Sequence, residues 1–163
     1  MNVQLPISDN ISEVLVKIIQ FTDLRRQILH RNMHSLDTPE FVPQDLPVRE
    51  FAALLNEAVA EHLQHRRLLL RDTAGIRFGS NNAMQVHPQT DAYALTLLRT
   101  SRDAYLELQV NKLMENSLNR KVAEELLRQK CGTYPQVPAG DSHATLVSDG
   151  PSGGLLTHQD TAE

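Results

Sequence analysis

The chain of 163 residues contains few of the side chains from which metal centres and ligand pockets are often built. It has one cysteine, Cys131, and no tryptophan, and aromatic residues make up 4% of the sequence. A single cysteine excludes an intramolecular disulfide and a cysteine-rich zinc site within this chain. The remaining core formers are Leu, Ile, Val and Ala, which favour interfaces between helices over a large aromatic-lined pocket.

Long apolar runs and a strong overall charge are also missing. No apolar run approaches the roughly 18 to 20 residues that cross a bilayer, so we expect no stable membrane insertion. Residues 1–6 lack the cationic region and apolar core of a cleavable signal peptide, which taken alone indicates a cytosolic protein. Of the 20 acidic residues, four follow residue 132 without a basic counterpart, and the other 16 balance the 16 basic residues. The sequence therefore predicts no binding of nucleic acid.

Apolar residues recur every three or four positions in three stretches, which is the spacing of amphipathic helices. The first helix is predicted at about 10–36, and Pro39 forces its end. The second is predicted at about 47–64 and the third at about 103–131, before Gly132. Such helices need a partner to bury their apolar stripes. We therefore predict a mainly α fold in which the long N- and C-terminal helices pair as a coiled coil.

The other segments show no comparable period. Residues 65–102 are predicted to be largely irregular, with Leu68–Leu70 as either a short strand or a helix end. After Pro88, the alternative to a loop is a further short helix. Glycine and proline interrupt every pattern in the last part of the chain, so residues 133–163 are predicted to be a disordered tail. The predicted organisation is one helical domain, residues 1–132, followed by that tail.

The end of the first helix has a recognisable order of residues. The stretch reads Asn32-Met33-His34-Ser35-Leu36-Asp37-Thr38-Pro39-Glu40-Phe41. It resembles the Asn-x-x-Asn-x-x-Thr-Pro-Gly-Tyr/Phe signature of bacterial flagellar axial proteins, and most closely the proximal rod proteins of the basal body, the FlgB family. Ser35 replaces the second Asn, and Glu40 replaces the Gly, where a left-handed backbone costs Glu steric energy. We name as the helix-stop motif the residues expected to fix this turn, which are Asn32, Asp37, Thr38, Pro39 and Phe41.

The last helix contains a second similarity. Glu115-Asn116-Ser117-Leu118 resembles the Asp/Glu-Asn-x-Leu core of the family's C-terminal helix, although Gln109 departs from an expected carboxylate upstream. The resemblance implies an assembly seam on the two terminal helices, lying within one chain or between subunits. Its predicted members are Ile18, Ile28, Leu29, Leu113, Glu115, Asn116, Leu118, Val122 and Leu126.

The resemblance also implies a function. A member of this family is a structural, non-enzymatic subunit of the flagellar basal-body rod, and it assembles with itself and with other rod subunits through its terminal helices. It is required for flagellum assembly and motility. The resemblance implies export by the flagellar type III apparatus without a cleaved signal peptide, and a location in the periplasmic rod. Its partners would be other rod and basal-body subunits and the export apparatus.

Two other classes of function remain open from the residues. The same apolar stripes suit a helical-bundle adaptor or regulator that binds a partner helix in a groove. A helical metalloprotein would need His30, His34, His62 and His65 to meet across two helices and hold zinc or nickel. No carboxylate or cysteine spacing strengthens that site, and surface positions on polar helix faces explain these histidines as well. No arrangement for catalysis or cofactor binding is apparent, so we predict a protein that is not an enzyme and has no cofactor.

Overall fold

The computed structural model describes residues 10–131 and 144–147. Four helices dominate it: α1 (Asn10–His34), α2 (Val48–His65), α3 (Ala92–Thr100) and α4 (Arg102–Cys131). Five short strands connect or flank them: β1 (Gln44–Asp45), β2 (Ile76–Phe78), β3 (Met84–Val86), β4 (Gln89–Thr90) and β5 (Ala144–Leu146). The predicted fold class, mainly α with long first and last helices, is confirmed.

The two long helices form the most extensive contact between elements. They lie antiparallel, because the end of α1 faces the start of α4 and the beginning of α1 faces the end of α4. An apolar cluster closes the second of these regions, where Leu15 and Ile19 of α1 pack on Ala123 and Leu127 of α4. The other half of the interface is polar and is described below.

The main core lies on another side of α1. There α2 and the β2–β3 hairpin cover Phe21, Leu24 and Ile28 of α1. The rings of Phe21 and Phe51 stack with centroids 4.0 Å apart and planes 3° from parallel. Two of the chain's seven aromatic residues therefore pack on one another where α1 and α2 meet.

The segment 65–102 is more regular than the sequence predicted. Strands β2 and β3 pair antiparallel with Ile76 opposite Val86, and β1 pairs antiparallel with β4. Helix α3 begins at Asp91, whose side chain accepts a hydrogen bond from the N–H of Ala94 at 3.0 Å, as an N-cap does. The strands are two or three residues long, which is too short for an alternating pattern to identify them.

The hairpin turn is held by a buried lysine of α1. Asn81 and Asn82 have left-handed backbones, and Lys17 Nζ donates to the carbonyls of Asn82 at 2.7 Å and Ala83 at 3.2 Å. Burial lowers the pKa of Lys17, and the charge of Glu13 opposes that shift. The turn is thereby fixed to α1 in addition to the hydrogen bonds within its own hairpin.

Part of the predicted tail is also ordered against the fold. Residues 144–146 form β5, which pairs parallel with β3, and Ala144 and Leu146 pack on the main core. The prediction of disorder is wrong for these residues, because Leu146 and Ala144 can cover apolar surface at the β3 edge. The rest of residues 133–163 lies outside the described residues.

The exit from α1 has a left-handed residue in spite of the missing glycine. The N–H of Phe41 donates to the carbonyl of Thr38 at 3.3 Å, and Glu40 between them has a φ of 58°. Pro39 in the second position and a left-handed residue in the third are the pattern of a type II turn. Glu40 therefore adopts the conformation that glycine takes without steric cost.

We predict that Glu40→Gly stabilises the protein. Relief of left-handed strain contributes about 1–2 kcal/mol, and the greater freedom of glycine in the unfolded chain offsets about 0.5–1 kcal/mol. Urea denaturation should show a net gain of about 0.5–1 kcal/mol.

The control is Glu57→Gly, at an exposed position inside α2. It should cost about 1 kcal/mol, because the backbone there is helical. A loss of stability in Glu40→Gly comparable to that control would contradict the left-handed turn.

Candidate functional site: a polar helix interface beside an apolar groove

Asn32 of the helix-stop motif is buried between α1 and α4. Its Nδ2 donates to the carbonyl of Gln44 at 2.7 Å and to Oε1 of Gln109 at 3.0 Å, and its Oδ1 accepts from the N–H of Gln44 at 3.2 Å. The hydroxyl of Tyr105 donates to the carbonyl of Asn32 at 3.0 Å. One side chain thus ties the end of α1 to β1 and to α4.

A cluster of charged side chains lies further along the same interface, with Arg25 about two turns before Asn32 on α1. Arg25 makes a two-point ion pair with Asp45, at 2.9 and 3.1 Å. Lys112 of α4 binds Asp45 at 2.8 Å and also Asp91, the N-cap of α3. Glu115 lies at the edge of the cluster, 3.8 Å from Arg25. The cluster connects α1, β1, α3 and α4 through four buried or half-buried charges.

The electrostatic balance of this cluster favours charged carboxylates. Burial raises the pKa of Asp45, but hydrogen bonds and the charges of Arg25 and Lys112 outweigh it, so the net shift is downward from 3.8. A buried carboxylate that keeps its charge needs such partners. Burial and the negative charge of Asp91 raise the pKa of Tyr105 to about 12.

The other members of the helix-stop motif lie nearer the surface. Asp37 forms an exposed two-point ion pair with Arg102 at the start of α4, at 2.6 and 3.2 Å, and this pair lowers the pKa of Asp37. Thr38 and Pro39 are exposed turn residues, and Phe41 is half-buried. Asn32 and Asp37 thus both contact α4, while the three residues around the turn shape the chain exit.

The two stretches that carry the family resemblance lie at different levels of the helix pair: residues 32–41 contact the start of α4, and residues 115–118 contact the middle of α1. Asn116 is buried and its Nδ2 donates to the carbonyl of Thr22 at 2.7 Å, so it is the counterpart on α4 of Asn32 on α1. Glu115 reaches toward Arg25 from the surface. Leu118 points outward and is 62% exposed.

The predicted assembly seam divides between the core and the surface. Ile28 and Leu29 are fully buried, and Ile18 and Leu113 are half-buried. Leu118, Val122 and Leu126 are exposed and are not buried against α1 within the chain, so for them the seam between subunits stays a prediction. The face of α4 that covers α1 consists of Tyr105, Gln109, Lys112, Asn116, Ala123 and Leu127.

The physical reason for this rotation of α4 is the polarity of α1. Asn32 and Arg25 are buried on α1, and buried polar groups require hydrogen-bonding partners. The polar face of α4 supplies them. A helix oriented by its apolar residues alone would leave Asn32 without its Gln109 partner.

An apolar groove of about 410 Å³ runs beside the helix pair. Its floor is α1, and its two walls are α2 and α4. The residues that line it are Leu15, Ile18, Phe21, Thr22, Arg25, Val48, Phe51, Ala52, Leu55, Asn116, Leu118, Asn119, Val122, Ala123 and Leu126. Three exposed members of the predicted seam therefore share one concave surface with Ile18.

The outer side of the α4 wall continues this apolar surface. We define the α4 ridge as the large apolar residues that recur every fourth position and are at least 45% exposed: Val110, Met114, Leu118, Val122 and Leu126. Residues at this spacing form one of the ridges with which helices pack into grooves. A contiguous apolar surface of this kind is typical of an interaction site.

The histidines do not form the arrangement that a metal site would need. His30 and His34 lie at the end of α1, with His34 Nδ1 2.8 Å from the carbonyl of His30. His62 lies beside Asn10 at the beginning of α1, and His65 pairs with Glu61. The two pairs are thus at opposite ends of α1. Among residues 10–131 and 144–147, no group of three or more His, Cys, Asp or Glu side chains is placed to hold a metal ion.

Comparisons with protein-family models, with curated proteins and with solved structures find no match to this chain. In the part of the chain that the structure describes, no helix has both the length and the apolar content needed to cross a membrane.

Sequence reasoning missed the charged cluster as a unit. No local pattern joins Arg25, Asp45 and Lys112, because the three residues lie on separate elements and are far apart in the sequence. The available signal was the spacing of Tyr105, Gln109, Lys112 and Asn116, which places four polar or amphipathic residues on one helical face.

We predict that Asp45→Asn destabilises the protein by about 3 kcal/mol, because it leaves Arg25 buried without its carboxylate partner. Since the folded-state pKa of Asp45 lies below 3.8, its ion pairs stabilise the fold above that pH. This contribution is lost as the pH falls through the folded-state value. The acid side of the wild-type stability profile should therefore be steeper than that of Asp45→Asn, as measured by urea denaturation from pH 7 to 3.

The matched control is Asp37→Asn, which removes an ion pair of similar geometry at the surface. It should leave the melting temperature nearly unchanged, because exposed ion pairs contribute little. Equal losses in the two variants would contradict the role assigned to burial.

We predict that Tyr105 ionises near pH 12 in the folded protein. The difference in tyrosinate absorbance between wild type and Tyr105→Phe isolates its titration. Because the pKa is raised to about 12, Tyr105 stabilises the fold below its unfolded value of about 10, and that contribution disappears as the pH rises to 12. In denaturant the same difference should titrate near 10. A folded-state midpoint near 10 would show that Tyr105 is not buried beside Asp91.

Proposed function

We propose that this chain is a structural, non-enzymatic subunit of the bacterial flagellar basal-body rod. The observation that carries the proposal is the apolar groove together with the α4 ridge. This surface lies on the terminal helices, which are the elements that carry the two sequence similarities. The surface is suited to contact with other helices and has no feature of a catalytic site.

The helix-stop motif supports the same proposal. Asn32 and Asn116 stand in the two stretches that resemble the family, and each binds the opposite terminal helix. Their hydrogen bonds set the rotation of α4 that leaves Leu118, Val122 and Leu126 exposed. In this proposal the motif acts by positioning the assembly surface.

Assembly would proceed by contacts between unlike surfaces of neighbouring subunits, since such head-to-tail contacts generate open helical filaments. Burying the exposed half of a Leu or Val contributes about 1 kcal/mol. Three such residues supply less than the roughly 4–15 kcal/mol that association costs. Several neighbours, or the whole groove, must therefore contribute. The proposal places the subunit in the periplasmic rod after type III export, with other rod subunits as partners.

The second candidate is an adaptor or regulator that binds one partner helix. The observation that favours it is the shape of the groove. Three helices form its floor and walls, and amphipathic helices bind in apolar grooves of this kind. The chain also buries a core of its own around Phe21 and Ile76. A cooperatively folded monomer that binds one helix and does not polymerise would support this candidate.

The proposal predicts that Leu118→Lys abolishes swimming without unfolding the protein. Leu118 is 62% exposed, so lysine is tolerated in the single chain but places a charge in the assembly contact. The matched control is Leu63→Lys, on α2 outside the groove and 69% exposed. Both variants, introduced at the native locus, are compared by motility and by electron microscopy of basal bodies.

Deletion of the gene in the source bacterium provides the reference. The expected result is the absence of complete rods in the deletion and in Leu118→Lys, with normal rods in Leu63→Lys. Intact rods in the deletion strain would refute the proposal. Substitution of Ile28 is less informative, because this side chain is 1% exposed and its loss would disturb the core.

A further inference from the structure

The α4 ridge has a charge distribution that distinguishes its two ends. In the first half of α4, Glu107 and Glu115 are exposed acidic residues. In the second half, Lys121 and Arg128 are exposed basic residues, with Glu125 between them. A second α4 running in the opposite direction would meet unlike charges, whereas a parallel one would meet like charges.

The positions of these charges identify a centre of symmetry. Glu107, Met114, Lys121 and Arg128 follow one another at seven-residue intervals and so lie along one side of the helix. Leu118 lies eleven residues after Glu107 and ten before Arg128. A two-fold axis beside Leu118, midway between Ser117 and Leu118, therefore places Glu107 of one copy opposite Arg128 of the other, twice. Arg128 also donates to Glu125 of its own chain at 2.9 Å. Its guanidinium would therefore contact both Glu125 of its own chain and Glu107 of the other copy.

We propose that the groove is occupied by a second copy of this chain, in an antiparallel dimer whose two-fold axis passes beside Leu118. In this dimer α4 of each copy lies over the groove of the other and covers Leu118, Val122 and Leu126. The contact is isologous, because the same surface is used on both copies.

The extent of the surface suits this occupant. The ridge from Val110 to Leu126 is ~24 Å long, and a groove formed by three helices is ~20 Å wide at the usual spacing of 8–10 Å between axes. The projected area is thus at most ~500 Å². This is smaller than the ~800 Å² per partner of a standard-size interface and corresponds to a weak dimer. A single short peptide would leave part of the ridge uncovered.

This inference rests on the proposed function in one respect, which is that the same surface serves assembly. A closed pair cannot propagate into a filament. The dimer would therefore be a resting form that must open before a subunit adds to a rod. Sedimentation of the purified chain tests the dimer, and swimming tests the function, so the two can fail separately.

The test is analytical ultracentrifugation of the full chain carrying Cys131→Ser, which removes adventitious disulfides. At about 100 μM we expect a dimer that dissociates on dilution. Leu118→Glu should be monomeric with an unchanged circular dichroism spectrum, and Leu63→Glu should remain dimeric. A monomeric parent chain at this concentration would overturn the proposal, and so would a dimer that persists in Leu118→Glu.

The antiparallel direction has its own test. Glu107→Arg should weaken the dimer about fivefold, since it places two basic groups opposite one another at the rim. Adding Arg128→Glu should restore the original dissociation constant. An unchanged constant in both variants would contradict the antiparallel arrangement, because a parallel pair does not bring these positions together.

Discussion

The fold depends on the hydrogen bonding of Asn32, a neutral amide buried where the two long helices meet. Its donor and acceptor atoms are used by Gln44 and Gln109. An unsatisfied buried amide costs about 1–3 kcal/mol, so the partners of Asn32 determine how α4 can be rotated. The Arg25–Asp45 pair, whose arginine lies about two turns from Asn32, imposes the same orientation through Lys112. Polar matching, more than apolar contact, sets the register of the helix pair.

That register explains why α4 has a covered polar face and an exposed apolar face. The polar face is used internally, and the apolar ridge is directed outward as a consequence. In a helix pair held by a seam of leucines, the ridge would have been buried and the surface would have been polar. Here the order is reversed over residues 105–120, and the apolar contact with α1 is confined to Ala123 and Leu127. The groove beside α1 is the space that remains between that ridge and α2.

The sequence was sufficient to predict the mainly helical fold, because apolar residues at three- and four-residue spacing require long helices. It was insufficient for the strands, since pairs such as Gln44–Asp45 with Gln89–Thr90 are too short for a pattern and are held by side chains distant in sequence. The exposed position of Leu118 also could not be predicted from apolar periodicity. Its orientation follows from the partners of Asn116 and Gln109, which are pairwise contacts between residues more than 70 positions apart. Local spacing shows which residues share a face, but only the fold shows which face is covered.

The contacts that complete α1 come from the far end of the described chain. On α1, four residues contact partners that are made much later: Lys17 contacts Asn82, Asn32 contacts Gln109, Thr22 contacts Asn116, and Leu15 contacts Leu127. Contacts between residues so far apart in sequence slow folding, because the loop must close before the contact is gained. During synthesis, α1 leaves the ribosome long before its last partner is made. The side of α1 that faces α4 therefore stays accessible for most of translation, until residues 105–127 have been made.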